Sequence, residues 1–211
     1  MKGIFITATG TEVGKTYAAC QIASALKKSG INIGVFKPFA TGNFDDAKSL
    51  IKAAGVKETA QSVTPEFYKA PMSPYMSAKL EGKTVNVNNA LAKYKQLAKK
   101  HDFMVVEGVG GLMVPLKETF FVDDFIKRLN LPVIVVASHA LGTLNHTMLT
   151  VERLRARKVK ILGVIVNALD KTDVSSRHNA KLIKYFTGLP VLELAHNGKI
   201  NLGKNKWIYQ D

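Results

Sequence analysis

The fold is predicted by one stretch near the start of the chain: Ile4-Phe5-Ile6-Thr7-Ala8-Thr9-Gly10-Thr11-Glu12-Val13-Gly14-Lys15-Thr16. Its apolar beginning is typical of a buried strand, and its Gly-Lys-Thr end is typical of a phosphate-binding loop that opens a helix. The N-terminus of a helix offers unpaired N–H groups and a partial positive charge to a phosphate. Lys15 can then reach the outer phosphates, and the Thr16 hydroxyl can bind Mg2+. The stretch therefore predicts a nucleotide site.

The loop departs from the strict pattern Gly-x-x-x-x-Gly-Lys-Ser/Thr at its first position. Thr9 stands where the first glycine belongs, and Gly10 comes one residue late. A strand, a turn and a helix that carry Gly-Lys-Thr by chance are the alternative interpretation. The residues at the ends of the other predicted strands decide between these two interpretations, because they lie at the same edge of the sheet.

Apolar strands alternate with helices along the rest of the chain. Strands are predicted at residues 3–7, 31–36, 103–107, 132–137, 161–166 and 190–194. Helices are predicted at residues 15–29, 45–54, 118–129, 142–158 and 174–187, and from a cap at Asn86 or Asn88 to residue 100. Residues 37–42 are predicted as a loop, and residues 56–84 as irregular with a helix only around 77–80. The pattern predicts a doubly wound, mainly parallel α/β sheet with helices on both faces, in one P-loop domain over residues 1–211.

Ligands of such sheets bind at the carboxyl ends of the strands. Besides the loop at Gly10–Thr16, the segments Lys37–Thr41 and Glu107–Gly111 follow strands and carry chemically suggestive residues. Glu107 can hold Mg2+ beside a P-loop, and its alternative is a solvated strand end. Lys37 can supply a second positive charge to a transferring phosphoryl group, and its alternative is a solvated lysine. The three strand ends together favour a phosphoryl-transfer site.

Two adjacent acidic residues give a further candidate for the metal site. Asp45 and Asp46 open a predicted helix, so the alternative role is an N-cap with a favourable helix dipole. Residue types alone do not choose between the two carboxylates.

The chain is strongly basic, with 30 Lys and Arg against 16 Asp and Glu and a net charge of +14. Such a balance attracts polyanions. The dense run Arg153–Lys160 is interpreted as a solvated helix end, with nucleic-acid binding as the alternative. We therefore expect no nucleic acid as a partner. We also expect no membrane, since no apolar run reaches membrane-spanning length.

The one cysteine, Cys20, excludes an internal disulfide and indicates a reducing compartment. The first residues read as a strand rather than a signal peptide, so we expect a cytoplasmic protein.

Five blocks carry a family resemblance, and they come in the family's order across most of the chain. They are Thr11–Thr16, Lys37-Pro-Phe-Ala-Thr-Gly42, Pro71–Ala78 with Glu81-Gly82, Val106-Glu-Gly-Val-Gly-Gly-Leu-Met-Val-Pro-Leu116 and Gly142-Thr-Leu-Asn-His-Thr-Met-Leu149. In these blocks the chain resembles the dethiobiotin synthetases. The resemblance implies ATP-dependent closure of 7,8-diaminopelargonic acid with CO2 to dethiobiotin, through a carbamate and a carbamic–phosphoric anhydride, in biotin biosynthesis.

The resemblance also implies roles for individual residues. Lys15 and Lys37 would act on the transferring phosphoryl group, and Mg2+ would lie among Thr16, Asp46 and Glu107, with Asp46 preferred because Ala follows it as in the family. The implied nucleotide-binding residues are Glu12, Val13, Gly14, Lys15, Thr16, Tyr17, Asp46, Glu107, Gly108, Val109, Gly110, Asn167, Ala195, His196 and Asn197. The implied substrate-binding residues are Thr11 and Thr41 for the carbamate or diamine, and Gly142, Thr143, Leu144 and Asn145, from the second subunit of a homodimer, for the carboxylate.

A partition-type P-loop ATPase that binds DNA or membrane is the alternative function. The basic charge favours it. Such ATPases carry a lysine at the start of the loop, however, and Gly10 occupies that position here. The segment Glu193–Asn197 departs from the usual dethiobiotin synthetase pattern, so the nucleotide preference, ATP or CTP, stays open.

Overall fold

The computed structural model describes residues 3–167, 176–195 and 197–209 of the chain. Its strands are β1 (Gly3–Ala8), β2 (Ile33–Phe36), β3 (Phe39–Thr41), β4 (Glu66–Tyr68), β5 (Phe103–Glu107), β6 (Pro115–Lys117), β7 (Phe120–Phe121), β8 (Val133–Ser138), β9 (Ile161–Asn167) and β10 (Val191–Leu194). Its helices are α1 (Lys15–Lys28), α2 (Asp45–Ala54), α3 (Ala60–Val63), α4 (Pro74–Leu80), α5 (Val87–Ala98), α6 (Val122–Leu129), α7 (Thr143–Ala156) and α8 (Ser176–Thr187). A short 3-10 turn, Lys206–Ile208, follows them.

Six strands form the main sheet in the order β10-β9-β8-β1-β5-β2, and every neighbouring pair is parallel. The predicted doubly wound parallel sheet is therefore confirmed. β1 lies inside the sheet, between β5 and β8. The chain leaves β1 towards β2 on one side and later returns to β8 on the other. The loop after β1 therefore lies at the place where ligands of such sheets bind.

Along the strands of the main sheet, alternate side chains pack into two separate hydrophobic cores, one on each face of the sheet. Ile4 and Ile6 of β1 pack with α1 and α2 in one core, while Phe5 points into the other. All three are fully buried. Strands that are apolar on both faces need helices on both sides to exclude water. This burial holds β1 and the loop that follows it in a fixed position.

Two segments differ from their predicted structure because contacts with distant parts of the chain order them. The predicted loop 37–42 contains β3, which pairs in parallel with β4, and the ring of Phe39 packs against that of Phe125 at 4.8 Å between centroids. The stretch predicted as irregular, 56–84, therefore contains α3, β4 and the longer helix α4. Three-residue strands are too short to show a periodicity.

The helix predicted at 118–129 begins later. Residues 115–121 form the hairpin β6–β7, and α6 starts at Val122. Asp124 fixes this start because its carboxylate accepts a hydrogen bond from the N–H of Phe121 at 2.8 Å. The other predicted elements match within a few residues at each end. No helix among the described residues is long and apolar enough to span a membrane.

Candidate nucleotide and metal site

The P-loop follows β1 in a conformation suited to an anion. The N–H of Thr9 donates to the carbonyl of Val136 at 2.9 Å, so the residue in the place of the first glycine extends the pairing with β8. Glu12 and Gly14 both have left-handed φ angles, 59° and 83°. Left-handed residues that alternate with ordinary ones turn successive N–H groups into one concavity that binds anions. Gly14 then caps α1 without a side-chain hydrogen bond, which leaves the first N–H groups of the helix to a phosphate.

A buried ion-pair cluster lies next to this loop. The ammonium of Lys37 donates to Asp46 Oδ2 at 2.6 Å, to Glu107 Oε1 at 2.8 Å and to the carbonyl of Gly108 at 3.2 Å. Lys37 is 2% exposed and Glu107 is fully buried. The alternative of a solvated strand end is therefore wrong for both residues. Burying a charge is unfavourable unless it is paired and hydrogen-bonded, as here.

Two residues of the P-loop helix complete the cluster. The hydroxyl of Thr16 lies 2.7 Å from Glu107 Oε1 and 2.9 Å from Asp46 Oδ1. A hydroxyl has one proton to donate, so the two carboxylates share it. Lys15 Nζ lies 3.6 Å from Glu107 Oε1. The structure thus brings together five of the residues predicted from sequence, from four separate segments of the chain.

The charges of the cluster shift one another's pKa. Burial lowers the pKa of Lys37, but the carboxylates of Glu107 and Asp46 outweigh burial and raise it above the usual lysine value. Burial and the neighbouring Lys37 lower the pKa of Lys15. Partial burial raises the pKa of Asp46, but Lys37 and the hydrogen bonds from Lys37 and Thr16 outweigh it and hold that pKa below the usual aspartate value. Lys37 and Asp46 therefore both stay ionised at neutral pH.

Asp45 and Asp46 occupy different environments. Phe44, not an aspartate, is the N-cap of α2, so neither aspartate caps the helix, but both stand in its first turn, where the helix dipole favours a carboxylate. The Asp45 side chain is 70% exposed and lies 3.6 Å from Lys48. Only Asp46 contacts Lys37 and Thr16.

The oxygen atoms of Thr16, Asp46 and Glu107 fit a magnesium ion. Mg2+ prefers oxygen ligands, keeps several waters and usually takes one or two carboxylates together with substrate phosphates. Glu107 Oε2 is buried and has no hydrogen-bond partner among the described residues, which leaves a carboxylate oxygen for a cation. The described residues contain no group of three or more His, Cys, Asp and Glu side chains that could hold a metal ion. A magnesium ion here would therefore also need the Thr16 hydroxyl, waters or substrate phosphates as ligands.

The glycine-rich loop after β5 lies against the P-loop. The N–H of Gly108 donates to the carbonyl of Ile6 at 2.9 Å, and a Cβ at Gly108 would come within 2.9 Å of the Phe5 ring. A Cβ at Gly111 would lie 3.4 Å from the carbonyl of Ala8. A side chain at Gly108 would therefore displace the buried ring of Phe5, whereas a Cβ at Gly111 would make only an ordinary contact. Val109 and Gly110, between them, are half-buried.

The residues predicted to bind the base lie at the ends of β9 and β10. Asn167 is 1% exposed, and its amide nitrogen donates to the carbonyl of Val13 at 3.3 Å. Ala195 and Asn197 are exposed, while His196 lies outside the described residues. The phenol of Tyr17 donates to the carbonyl of Gly198 at 2.7 Å. This contact could not be predicted from the sequence, because 181 positions separate the two residues.

The residues predicted to bind the diamine lie in three places, namely the P-loop, the end of β3 and the start of α7. Thr11 is exposed, and Thr41 is half-buried at the end of β3. Helix α7 begins after Gly142, whose φ is 89°, and Leu144 and Asn145 follow in its first turn. The Thr143 side chain is buried at 2% exposure, so its hydroxyl faces the protein interior. Among the described residues, no hydrogen bond or ion pair joins these places to the buried cluster.

A second buried carboxylate, Asp123, was missed from the sequence. It accepts a hydrogen bond from Arg153 at 2.7 Å, and Arg157 pairs with Asp123 and with Asp124. The interpretation of the basic run as a solvated helix end holds for these two arginines, which lie at the end of α7 with side chains 40% and 29% exposed, but it missed their pairing with a buried carboxylate. A buried carboxylate at the start of one helix needs cations, and the end of α7 supplies them.

Fold and site together define a P-loop nucleotide-binding α/β protein. The family model described as an AAA domain matches residues 2–196. The MinD cell division protein of Aquifex aeolicus superposes with a TM-score of 0.57 at 13% identity, over 100% of this chain and 88% of that one. The ParA family ATPase of Chlorobium tepidum superposes with a TM-score of 0.55 at 15% identity, over 93% and 84%. At these identities the likeness shows the fold alone.

Curated relatives give the family. The ATP-dependent dethiobiotin synthetase BioD of Endomicrobium trichonymphae is 57% identical over 98% of both chains. Proteins of the same name from Bacillus subtilis strain 168 and Methanococcus vannielii are 40% and 37% identical, over 91% and 93% of this chain and 86% and 94% of theirs. The chain belongs to the dethiobiotin synthetase family.

Proposed function

We propose that this chain is an ATP-dependent dethiobiotin synthetase, a cytoplasmic ligase of biotin biosynthesis. It closes 7,8-diaminopelargonic acid with CO2 into the cyclic urea dethiobiotin, with ATP as co-substrate. The observation that carries the proposal is the meeting of Lys15, Lys37 and Glu107 at the P-loop, in a chain 57% identical to a dethiobiotin synthetase.

The reaction has three covalent steps. One amine of the substrate attacks CO2 and loses a proton, which gives a carbamate. A carbamate oxygen attacks the γ-phosphorus of ATP, ADP leaves, and a carbamic–phosphoric anhydride remains. The second amine attacks the carbamate carbon and loses a proton, the C–O bond to the phosphate breaks, and inorganic phosphate leaves. Such chemistry needs aligned reactants and neutralised charge more than a covalent catalyst.

Lys15 and Lys37 would neutralise charge on the transferring phosphoryl group. Two carboxylates hold the ammonium of Lys37 in one place, and its raised pKa keeps it cationic. A cation that is already in position needs no rearrangement during the reaction. By likeness to the family, Thr11 and Thr41 would contact the carbamate or the diamine.

Thr16, Asp46 and Glu107 would hold Mg2+. When bound, the ion would supply positive charge to the β- and γ-phosphate oxygens. The residues themselves keep carboxylate oxygens beside the P-loop, where the ammonium of Lys37 pairs with both Asp46 and Glu107.

The rest of the nucleotide would lie along the carboxyl ends of the strands. The backbone from Glu12 to Tyr17 would hold the phosphates, and the loop Gly108–Gly110 would lie beside them. Asn167 and the segment Ala195–Asn197 would contact the base. These assignments follow the family, and the ends of β9 and β10 lie on the same sheet edge as the P-loop.

We also propose a homodimer, in which the start of α7 from the partner subunit receives the substrate carboxylate. The exposed apolar residues Leu141 (83%), Leu149 (63%) and Met113 (51%) support an interface near this helix and the loop after β5. Clustered exposed apolar side chains commonly mark protein contacts. Light scattering at the assay concentration should give twice the chain mass of 23.1 kDa, and a monomer that is fully active would contradict the shared site.

The test of the function is phosphate release from ATP with bicarbonate, with and without 7,8-diaminopelargonic acid, and with CTP in parallel. We expect release that requires the diamine, together with dethiobiotin in the mass spectrum. Hydrolysis that ignores the diamine or is stimulated by DNA would instead support a partition-type ATPase.

A further inference from the structure

The C-terminal segment of the chain returns to the first turn of α1. There the phenol of Tyr17 donates to the carbonyl of Gly198 at 2.7 Å. Tyr17 directly follows Thr16, whose hydroxyl contacts Glu107 and Asp46. The contact therefore links the helix that starts at the P-loop to the turn that follows β10.

The sheet order gives the direction in which a bound nucleotide extends. Glu107 ends β5 and Lys37 follows β2, and both strands lie on one side of β1. β8, β9 and β10 lie on the other side. The γ-phosphate and the base are at opposite ends of a nucleoside triphosphate. With the γ-phosphate near Lys37, the base therefore extends towards β9 and β10, where the turn at 195–198 lies.

The described residues near the end of β10, Ala195, Asn197 and Gly198, are positioned by local backbone contacts. The N–H of Gly198 donates to the carbonyl of Ala195 at 2.8 Å, and Asn197 has a left-handed φ of 56°. Ala195 and Asn197 are exposed. The chain is held in the core on both sides, by Leu194 before the turn and Ile200 after it, at 2% and 7% exposure. Between these two points, the Tyr17 hydroxyl ties the turn to α1.

We propose that Tyr17 is a positioning residue for the nucleoside part of ATP, because its hydroxyl holds Gly198, and with it the neighbouring Asn197 and Ala195, where the base contacts the chain. The inference rests on the proposed function in taking ATP as the nucleotide and in placing its base at the ends of β9 and β10. Exposed backbone groups of such a turn can donate to and accept from the edge of a purine.

The substitution Tyr17→Phe removes the hydroxyl and keeps the ring. Calorimetry without the diamine compares two probes, β,γ-methylene ATP and inorganic tripolyphosphate. One net hydrogen bond predicts that the Kd of the ATP analogue rises about three- to ten-fold, while that of tripolyphosphate stays unchanged. In turnover, we expect the KM for ATP to rise by a similar factor, with kcat within about two-fold. Tyr94→Phe is the matched control, because Tyr94 is a buried tyrosine of α5 that packs against Phe36. Tyr94→Phe should leave the Kd of both probes unchanged.

Two results would overturn the role of Tyr17. Unchanged affinity of Tyr17→Phe for the ATP analogue, with or without a lower melting temperature, would leave the hydroxyl a structural contact only. Equal losses for the analogue and tripolyphosphate would mean that the substitution disturbs the P-loop instead. The binding comparison does not need turnover. If wild-type protein makes no dethiobiotin while the two probes separate as expected, the proposed function fails and the role of Tyr17 stands.

Discussion

Glu107 and Asp123 are both fully buried carboxylates, and each keeps one oxygen without a hydrogen-bond partner among the described residues. The cations that they pair with differ in solvent exposure. Glu107 faces Lys37 and Lys15, whose side chains are 2% and 11% exposed. Asp123 faces Arg153 and Arg157, at 40% and 29%. The first cluster excludes its cations from water, and the second lets them reach it.

The difference separates a reactive site from a structural tie. Desolvating an ammonium costs several kcal/mol that pairing only partly returns, so a buried lysine is an inefficient way to stabilise a fold. The same ammonium is effective against a phosphoryl group, because little water screens it. Arg153 and Arg157 join the end of α7 to the start of α6, where the helix dipoles favour both charges. Substitutions should therefore affect turnover in the first cluster and stability in the second.

Lys37→Met should have the largest effect. Removing a positioned charge from a phosphoryl-transfer site predicts a kcat lower by about 100- to 1000-fold. The affinity for β,γ-methylene ATP should change far less, since the P-loop remains. Steady-state turnover and calorimetry measure the two quantities, and circular dichroism checks the fold. A folded variant with kcat within three-fold of wild type would remove Lys37 from the reaction.

Asp46→Asn and Asp45→Asn form a matched pair from the same helix turn. Asp46→Asn should lower turnover at least about ten-fold and raise the Mg2+ concentration needed for half-maximal activity, because it weakens an oxygen ligand. Asp45→Asn removes only an exposed charge and should stay within about two-fold. A magnesium titration of both variants makes the comparison. Equal behaviour of the two would contradict the choice of Asp46.

Asp123→Asn should act on stability instead. Loss of the charge that Arg153 and Arg157 face predicts a free energy of unfolding lower by about 1–3 kcal/mol, with kcat within about three-fold. Urea unfolding measures the first, and the turnover assay the second. Glu152→Gln is the control, because it removes an exposed pair with Arg155 worth less than about 1 kcal/mol. A stable but inactive Asp123→Asn would reverse the contrast between the clusters.

The smallest effect is the pH dependence of Asp46. Its pKa in the folded protein is lowered, chiefly by Lys37 against the opposing effect of burial. Its charge therefore stabilises the fold above the usual aspartate pKa of about 3.9. This stabilisation is lost as the pH falls through the lowered pKa of Asp46 in the folded protein. The difference in unfolding free energy between wild type and Asp46→Asn should be flat from about pH 7 to 5 and shrink below about pH 4. It should stay under about 1 kcal/mol, because the side chain is 46% exposed. A difference that grew in acid would show that the pKa is raised instead.

Much of this contrast was readable from the sequence, but unevenly. The continuous apolar strands predicted the parallel sheet, and Lys37 and Glu107 were recognised because each follows a strand. The hairpin β6–β7 and the pairing of β3 with β4 were not predicted, because two or three residues carry no period. Asp123 was missed because nothing in a helix start tells a buried carboxylate from an exposed one. The nearby Asp124, by contrast, has the local role of capping Phe121.

The sequence by itself determined which chemical groups stand at the strand ends and that these ends share one edge, because a parallel sheet built from βαβ units leaves no other arrangement. Only the tertiary structure decided which groups meet. It buried Lys37 between Asp46 and Glu107, left Asp45 in water, and carried Gly198 back to Tyr17. These outcomes depend on side-chain packing between segments far apart in the chain, which sets desolvation and distance together and has no counterpart in local sequence.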